Sequence, residues 1–225
     1  MTEPPSLEEQ AQAFADELSA LLMAVFPDAP GVAAQISGDR VVVAPTDHVP
    51  LSVGGFRLAA LEIHVRCRLD SRGRWLAVDQ SAYKLRLNAD STPLLRLEYM
   101  RDAHTAPSAH LQVHAQRGAL SHLLSRAGHH APHDMSKLHL PLGGARFRPC
   151  LEDLVQLLVT EFGLDALPHW EQAVHDGRAR WRRTQAMAVT RDFPEQAADV
   201  LRQLGYEVSA PDDPPTIDEK ALTAW

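Results

Sequence analysis

The sequence predicts an α+β fold, in which an antiparallel β-meander of about five or six strands lies between an N-terminal helix and a C-terminal segment of three helices. Three patterns indicate this arrangement. Apolar residues recur at helical spacing up to Phe26, at every second position within runs from Val32 to Ala115, and again at helical spacing after Pro149. Helices and strands are therefore segregated along the chain, as is typical of α+β proteins.

The first helix is predicted from Leu7 to Phe26. Ser6 and Glu9 have the spacing of a capping box, in which each residue accepts a hydrogen bond from the backbone of the other. Apolar residues then recur every three or four positions, at Leu7, Ala11, Phe14, Leu18, Leu21, Leu22 and Val25. Pro27 and Pro30 end the helix because proline cannot continue the backbone hydrogen bonding.

The strand from Leu61 to Leu69 shows the clearest alternation of apolar and polar residues in the sheet. Side chains of a strand point alternately to its two faces, so one face of the sheet is core and the other is polar. Counting along neighbouring strands places one polar set on the same face: Glu62, His64, Arg66, Arg68, Lys84, Arg86, Arg96, Glu98, His110, Gln112 and His114.

Three helices are predicted after Pro149, the first of them ended by Gly163 and the last by Gly205. We expect residues 1–149 to form the N-terminal helix and the sheet, and residues 150–209 to form a helical extension packed on them within one domain. Residues 210–225 are rich in proline and acidic residues, so we expect a mobile tail.

Composition limits the classes of function. The net charge of -7 argues against a protein that coats nucleic acid through its overall field. The sequence has no run of about 18 apolar residues and no secretory leader pattern, so we expect a cytoplasmic protein that does not enter a membrane. Cys67 and Cys150 lie in unrelated contexts, and we expect both to be reduced thiols.

Histidine is concentrated between positions 104 and 139, which hold eight of the 12 histidines. His129, His130, His133 and Asp134 lie close enough in sequence to converge on a metal ion, but no pattern positions them. His110 and His114 share a strand face at a separation of about 13 Å, too far for one ion. We therefore predict neither a metal site nor a cofactor, and solvated loop histidines are the favoured interpretation.

The polar face of the sheet contains the groups needed for acid–base chemistry. RNA cleavage by side chains alone requires a base, an acid and a cation for the phosphate. The candidate catalytic residues are His110, His114, Arg96 and Glu98, with His64, Lys84 and Arg86 on the same face. Cross-strand charge pairs on a solvated face explain the same pattern without any catalysis.

Two other segments are candidate binding sites. Gly143 and Gly144 allow a close backbone approach, and Arg146 and Arg148 follow them just before a helix start that offers free N–H groups to an anion. Arg178 and Arg182 share one face of a later helix and are candidate phosphate contacts. An ordered structural turn and a locally paired basic face are the competing interpretations.

Three motifs follow one another in the central part of the chain: Leu94-Leu95-Arg96-Leu97-Glu98-Tyr99, then Ser108-Ala109-His110-Leu111-Gln112-Val113-His114, then a helix beginning Leu151-Glu152-Asp153-Leu154. Their order resembles that of the TumE-type proteins of bacterial toxin-antitoxin loci. The resemblance covers the central third of the chain. It implies a small intracellular protein that acts on, or is held by, a macromolecular partner, and it implies roles for Arg96, His110 and His114.

The sequence favours a partner-binding component of a bacterial toxin-antitoxin, stress-response or phage-defence system. We expect a protein partner, with RNA as a second candidate, and the sequence does not indicate an oligomeric state. The first alternative is a metal-independent endoribonuclease that uses the sheet-face histidines. The second is a small-ligand carrier with a cavity between the first helix and the sheet.

Overall fold

An N-terminal helix, an antiparallel sheet and three C-terminal helices make up the computed structural model, which confirms the predicted class. The structure describes residues 5–70, 72–103, 106–115, 118–126, 128–137, 139–142 and 149–212. Its helices are α1 (Leu7–Val25), α2 (Gly118–Arg126), α3 (Leu151–Thr160), α4 (Trp170–Asp192) and α5 (Pro194–Gln203), and a 3-10 turn spans Met135–Lys137. Among the described residues, no helix is both long enough and apolar enough to cross a membrane.

The sheet is antiparallel and mostly follows chain order. Its strands are β1 (Val32–Ser37), β2 (Arg40–Pro45), β3 (Val49–Val53), β4 (Phe56–Leu69), β5 (Leu76–Leu87), β6 (Pro93–Met100), β7 (Ala109–Val113) and β8 (Leu140–Pro141). The order is β1-β2-β4-β5-β6-β7-β8, and β3 pairs with the first half of β4 on the edge that β2 also uses. The sheet exceeds the predicted five or six strands because residues 32–53 form three short ones and β8 adds two residues.

Helix α1 begins at the predicted capping box. Ser6 Oγ accepts a hydrogen bond from the Glu9 backbone at 3.1 Å, and Glu9 accepts one from the Ser6 backbone at 2.8 Å. The apolar stripe of the helix packs on one face of the sheet, here called the inner face. The fully buried side chains of this interface include Leu22 and Val25 of α1 and Val41, Val43, Leu61 and Val65 of the sheet.

Helices α3 and α4 extend the same core. Leu154, Val155 and Leu158 of α3 and Val174 of α4 are buried in one cluster with α1 and the sheet. Arg178 of α4 donates to Asp153 of α3 at 2.8 Å, which ties the two helices together. A single hydrophobic core therefore includes residues from both sides of Pro149, and the helices form a layer over the inner face.

The opposite face of the sheet, here called the outer face, carries the polar set that the alternation predicted. Along β4, Ile63, Val65 and Cys67 are buried on the inner face, while His64 and Arg66 are exposed. Residues 213–225, the greater part of the predicted tail, lie outside the described residues. The outer face is the part of the described structure where titratable side chains are most concentrated.

Candidate functional site

The strand register sets two rows of polar residues side by side on the outer face. Lys84 of β5, Arg96 of β6 and Gln112 of β7 lie opposite one another in the first row. Ala82, Glu98 and His110 lie opposite one another in the second. Residues directly opposite in an antiparallel pair have Cα atoms about 4.5–5.5 Å apart and diagonal neighbours lie about 7–8 Å apart, so long side chains of one row reach those of the next.

Arg96, Glu98 and His110, three of the predicted catalytic residues, form a continuous chain of polar contacts. Arg96 Nη2 donates to Glu98 Oε1, and His110 Nε2 lies 3.4 Å from Glu98 Oε2. His110 Nδ1 lies 2.8 Å from the Pro107 carbonyl oxygen. A carbonyl oxygen only accepts, so Nδ1 carries the proton and a second proton on Nε2 produces an ion pair with Glu98. The sheet register thus fixes the orientation of all three side chains.

Glu98 is held as a carboxylate by its neighbours. The hydrogen bond from His110, followed by that from Arg96 and the charges of both residues, lowers the pKa of Glu98 to about 2, against the opposing effect of burial. A group with so low a pKa does not supply a proton near neutral pH. Glu98 therefore positions Arg96 and His110, and the general acid of any reaction must be another group.

The first prediction concerns the pH dependence of stability. Because the folded pKa of Glu98 lies below its ordinary value of 4.5, the stabilisation is present above that value and is lost as the pH falls from there to about 2. We expect Glu98→Gln to lower the free energy of unfolding at neutral pH by about 1–2 kcal/mol, after allowance for solvent screening. The variant should also weaken the fall of stability with falling pH below 4.5, here called the acid limb. Urea unfolding at a series of pH values from about 2 to about 7 measures both effects.

The control for this prediction is Glu207→Gln, which changes an exposed carboxylate outside the sheet. We expect this variant to retain the acid limb of the wild-type protein. An unchanged acid limb in Glu98→Gln would contradict the role assigned to Glu98.

Gln112 of β7 lies opposite Arg96 and is only 5% exposed. Its Nε2 donates to the Ser136 carbonyl oxygen at 2.8 Å and lies 3.1 Å from His139 Nε2. An amide nitrogen only donates, so His139 Nε2 is the acceptor and its ring is neutral. Residues 128–137 and 139, here called the histidine segment, therefore pack over the outer face at β7.

Alternation alone predicts a solvated outer face at β7, but the histidine segment covers it. His110 is 6% exposed although it points to the polar face. The rings of His110 and His139 meet edge to face with centroids 4.7 Å apart. Burial, followed by the charge of His110, lowers the pKa of His139, and the charge of Glu98 opposes this shift. The polar face is consequently solvated at β4 and covered at β7.

Three buried polar atoms in this region have no hydrogen-bond partner among the described residues. They are Arg96 Nε, Gln112 Oε1 and His114 Nε2. Arg96 and Gln112 are directly opposite in the register, and Gln112 and His114 are two residues apart on one face, about 7 Å between Cα atoms. Leaving a buried donor or acceptor without a partner costs about 1–3 kcal/mol, so three such atoms together indicate a place for a polar ligand.

Basic side chains continue the site towards β4. Arg66 donates to His64 Nε2 at 3.2 Å and to Gln80 at 3.4 Å. Burial, then the charges of Arg66 and Lys84, lowers the pKa of His64, so its ring is neutral. Glu62 extends the first row to β4, opposite Lys84. Its carboxylate lies 3.0 Å from Arg86 and 3.9 Å from Lys84. A polyanion that crosses the strands from β7 to β4 would meet cations on each of β4, β5 and β6.

The other predicted residues that the structure describes do not take part in the chain of contacts that links Arg96, Glu98 and His110. His114 follows β7 and hydrogen-bonds through its backbone to Leu94, so it lies four residues along the strand from His110 and does not contact it. Arg178 contacts Asp153 and Gln156 of α3 and serves the helical layer. Arg182 is exposed on α4, also in that layer. The predicted binding residues Gly143, Gly144, Arg146 and Arg148 lie outside the described residues.

His129 and His130 contact each other within the histidine segment. The rings of His129 and His130 stack with centroids 4.6 Å apart, and Asp134 accepts hydrogen bonds from the backbone and side chain of Ser136. Within the ranges that the structure describes, no group of three or more histidine, cysteine, aspartate or glutamate side chains is arranged to hold a metal ion.

Sequence reasoning missed the parts of the site that depend on the histidine segment. Alternation placed Gln112 on the polar face, but no signal in the sequence showed that its amide nitrogen donates to Ser136 and His139 while no described residue donates to its oxygen. His139 was one of eight clustered histidines, and its contact with His110 depends on the short pairing of β8 with β7.

Comparisons with known proteins give no further guidance. A scan of protein-family models, a search of curated proteins and a search of solved structures each found no significant match. The interpretation of the site therefore depends on its geometry and chemistry.

Proposed function

We propose that this protein binds single-stranded RNA on the outer face of its sheet and cleaves it with side chains alone, as the RNA-directed component of a bacterial toxin-antitoxin or defence system in the cytoplasm. The observation that carries the proposal is the group of three buried polar atoms, on Arg96, Gln112 and His114, that have no hydrogen-bond partner within the described part of the chain. Two of these three residues were predicted from the sequence as catalytic.

Arg96 is the proposed phosphate ligand. Its guanidinium is anchored through Nη2 by Glu98, which fixes its direction, and Nε has no partner in the ranges that the structure describes. A charged donor that is held in place stabilises an anion more than a mobile one does, because little reorganisation is needed when charge develops. Glu98 and His110 are positioning residues in this arrangement, because the contacts of Glu98 direct the guanidinium and those of His110 hold Glu98.

His114 is the proposed acid–base residue. Its Nε2 accepts the proton of a ribose 2′-hydroxyl, whose oxygen attacks the adjacent phosphorus while the bond from phosphorus to the 5′-oxygen breaks. The leaving 5′-oxygen takes a proton from solvent. The products are a 2′,3′-cyclic phosphate and a 5′-hydroxyl, and Arg96 stabilises the additional negative charge on the phosphorane.

The ligand reaches these buried atoms only if part of the structure moves, and the histidine segment is the adjacent element. Its described contacts with β7 include hydrogen bonds from Gln112 to Ser136 and His139. Protonation of His139 removes the acceptor at its Nε2 and places a positive charge beside His110 and Arg96. Because the pKa of His139 is lowered in the folded state, protons favour release of the segment as the pH falls below about 6.5.

The second prediction follows from this titration. We expect amide hydrogen exchange in residues 128–137, corrected for intrinsic rates, to be at least about threefold faster at about pH 5.5 than at about pH 7.5. His139→Gln retains an acceptor for Gln112 and does not titrate, so it should remove most of the pH effect. An equal pH effect in this variant would assign the opening to another of the loop histidines.

Product analysis tests the proposed reaction. Purified protein is incubated with a single-stranded RNA oligonucleotide in the presence of a chelator, and the products are identified by mass spectrometry. We expect fragments that end in 2′,3′-cyclic phosphate, and a loss of about 100-fold or more in rate for His114→Gln. His175→Gln, at an exposed position of α4, is the matched control. Intact RNA with wild-type protein would contradict cleavage.

A second function, binding of a protein partner, is favoured by α5. This helix has no buried residue; its Val200 is 54% exposed, and Leu204, the residue that follows its last turn, is 69% exposed. Such a face is typical of a helix that docks on another chain. Native mass spectrometry of protein purified from its own host should show a defined partner mass that Leu204→Glu removes, whereas an unchanged complex would place the partner elsewhere.

A further inference from the structure

We infer that Gln112 Oε1 accepts a hydrogen bond from the ribose 2′-hydroxyl beside the bound phosphate, and that this residue makes the site select RNA over DNA. The inference rests on the proposed RNA function and deepens it, because it names the sugar as the recognised group. It assigns to Gln112 a specificity role that differs from the phosphate contact of Arg96 and the proton transfer of His114.

The direction of the Gln112 amide is fixed by its surroundings. Both partners of Nε2, the Ser136 carbonyl oxygen at 2.8 Å and His139 Nε2 at 3.1 Å, are acceptors. Exchanging the amide oxygen and nitrogen would place the oxygen against the Ser136 carbonyl oxygen, which is repulsive. While the histidine segment is in place, the oxygen therefore lies on the side of the side chain where no described residue donates to it. The segment opens to admit the ligand and then closes over it, which restores this direction of the amide in the complex.

The chemistry of the ligand follows from the chemistry of the three atoms. Arg96 Nε is a donor, and a phosphodiester, which carries only acceptors near neutral pH, satisfies it. Gln112 Oε1 is an acceptor, and the same phosphodiester cannot satisfy it. A ligand that fits the whole site needs a donor next to its phosphate.

In a nucleic acid backbone, the 2′-hydroxyl of ribose is the donor closest to the 3′-phosphate, and deoxyribose lacks it. The register supports this assignment, because Gln112 lies directly opposite Arg96 and two residues from His114. A hydroxyl that donates to Gln112 Oε1 in the bound state is thus placed between the cation that holds the phosphate and the imidazole of His114. Because the hydroxyl has a single proton, it turns from Gln112 to His114 Nε2 for the proton to be transferred.

Binding of modified oligonucleotides tests the inference without cleavage. Three oligonucleotides of one sequence carry 2′-amino, 2′-fluoro or 2′-deoxy sugars, none of which undergoes the transesterification, and only the 2′-amino group donates. We expect wild-type protein to bind the 2′-amino oligonucleotide about tenfold more tightly than the other two, as measured by fluorescence anisotropy.

Two variants separate the role of the oxygen from that of folding. Gln112→Leu removes the acceptor, and the ratio of affinities should fall to about one. Gln112→Asn retains an amide oxygen together with an amide nitrogen, so the ratio should remain at least about threefold. Circular dichroism confirms that each variant is folded.

The outcomes distinguish this inference from the function on which it rests. Equal affinity of wild-type protein for all three oligonucleotides, weakened by Arg96→Met, would overturn the role of Gln112 and leave phosphate binding in place. No measurable affinity for any of them would overturn both. A preference for the 2′-amino sugar that persists in Gln112→Leu would assign sugar recognition to another residue.

Discussion

Replacing Arg96 with methionine should reduce the rate of RNA cleavage by about 100- to 1,000-fold, the largest functional effect expected of any single change on the outer face. The guanidinium is anchored through Nη2 by Glu98, and its buried Nε has no partner among the described residues and is free to donate to the phosphate. Methionine keeps much of the length and apolar character of the side chain while removing the charge and all of the donors. Single-turnover cleavage assays measure the loss directly.

Arg96→Lys refines the same prediction. Lysine retains the positive charge but has a single ammonium group, which cannot hold Glu98 and a phosphate in the planar geometry of a guanidinium. We expect it to recover little of the lost rate. Arg57→Met is the control, because Arg57 pairs with Asp28 at an exposed position away from the candidate site, and it should retain full activity. Full activity in Arg96→Met would contradict the proposed phosphate site.

Gly177→Ala should lower the free energy of unfolding by about 2–3 kcal/mol. Replacing glycine with alanine inside a helix ordinarily stabilises it by about 1 kcal/mol, so the expected sign is reversed. The cause is Glu152 of α3, which is 8% exposed and packs on α4 at this position. A β-carbon on residue 177 would lie 2.3 Å from Glu152 Oε1 and 3.0 Å from its Cδ, so the buried carboxylate would have to move.

Two comparisons isolate this contact. Gly118→Ala changes a glycine of α2 whose β-carbon would meet nothing within 4 Å, and it should leave the stability unchanged or slightly higher. In a Glu152→Ala background, the further change Gly177→Ala should lower the free energy of unfolding by much less, because the obstructing carboxylate is absent. Chemical denaturation measures all four variants, and equal losses in both backgrounds would contradict the contact.

The elements of the fold could be predicted from local signals. The capping box at Ser6 and Glu9 gave the start of α1, and alternation along β4 gave the two faces of the sheet, because both depend on residues close in sequence. The number of strands could not be predicted as well. The turn at Gly54 and Gly55 and the pairing of β3 with half of β4 depend on long-range contacts, among them Asp165, which accepts hydrogen bonds from the backbone of both glycines.

The candidate site could be predicted only in part for the same reason. The face shared by Arg96, Glu98 and His110 follows from alternation, and their contacts follow from the register. The burial of His110 and Gln112 does not follow from alternation or register. It is produced by the histidine segment, whose path over β7 is not encoded in a local pattern. Arg178 resembled a nucleic-acid contact in sequence and proved to join α3 and α4.

Photo-cross-linking tests the central claim most directly. A single-stranded RNA oligonucleotide with 4-thiouridine substitutions is irradiated with the full-length protein, and the adducts are located by mass spectrometry. The proposed function predicts adducts on peptides of β6 and β7, residues 93–100 and 109–114, which competitor RNA suppresses and Arg96→Met reduces. Adducts confined to the basic helical segment around Arg182, or an absence of adducts, would show that the outer face of the sheet is not the RNA site.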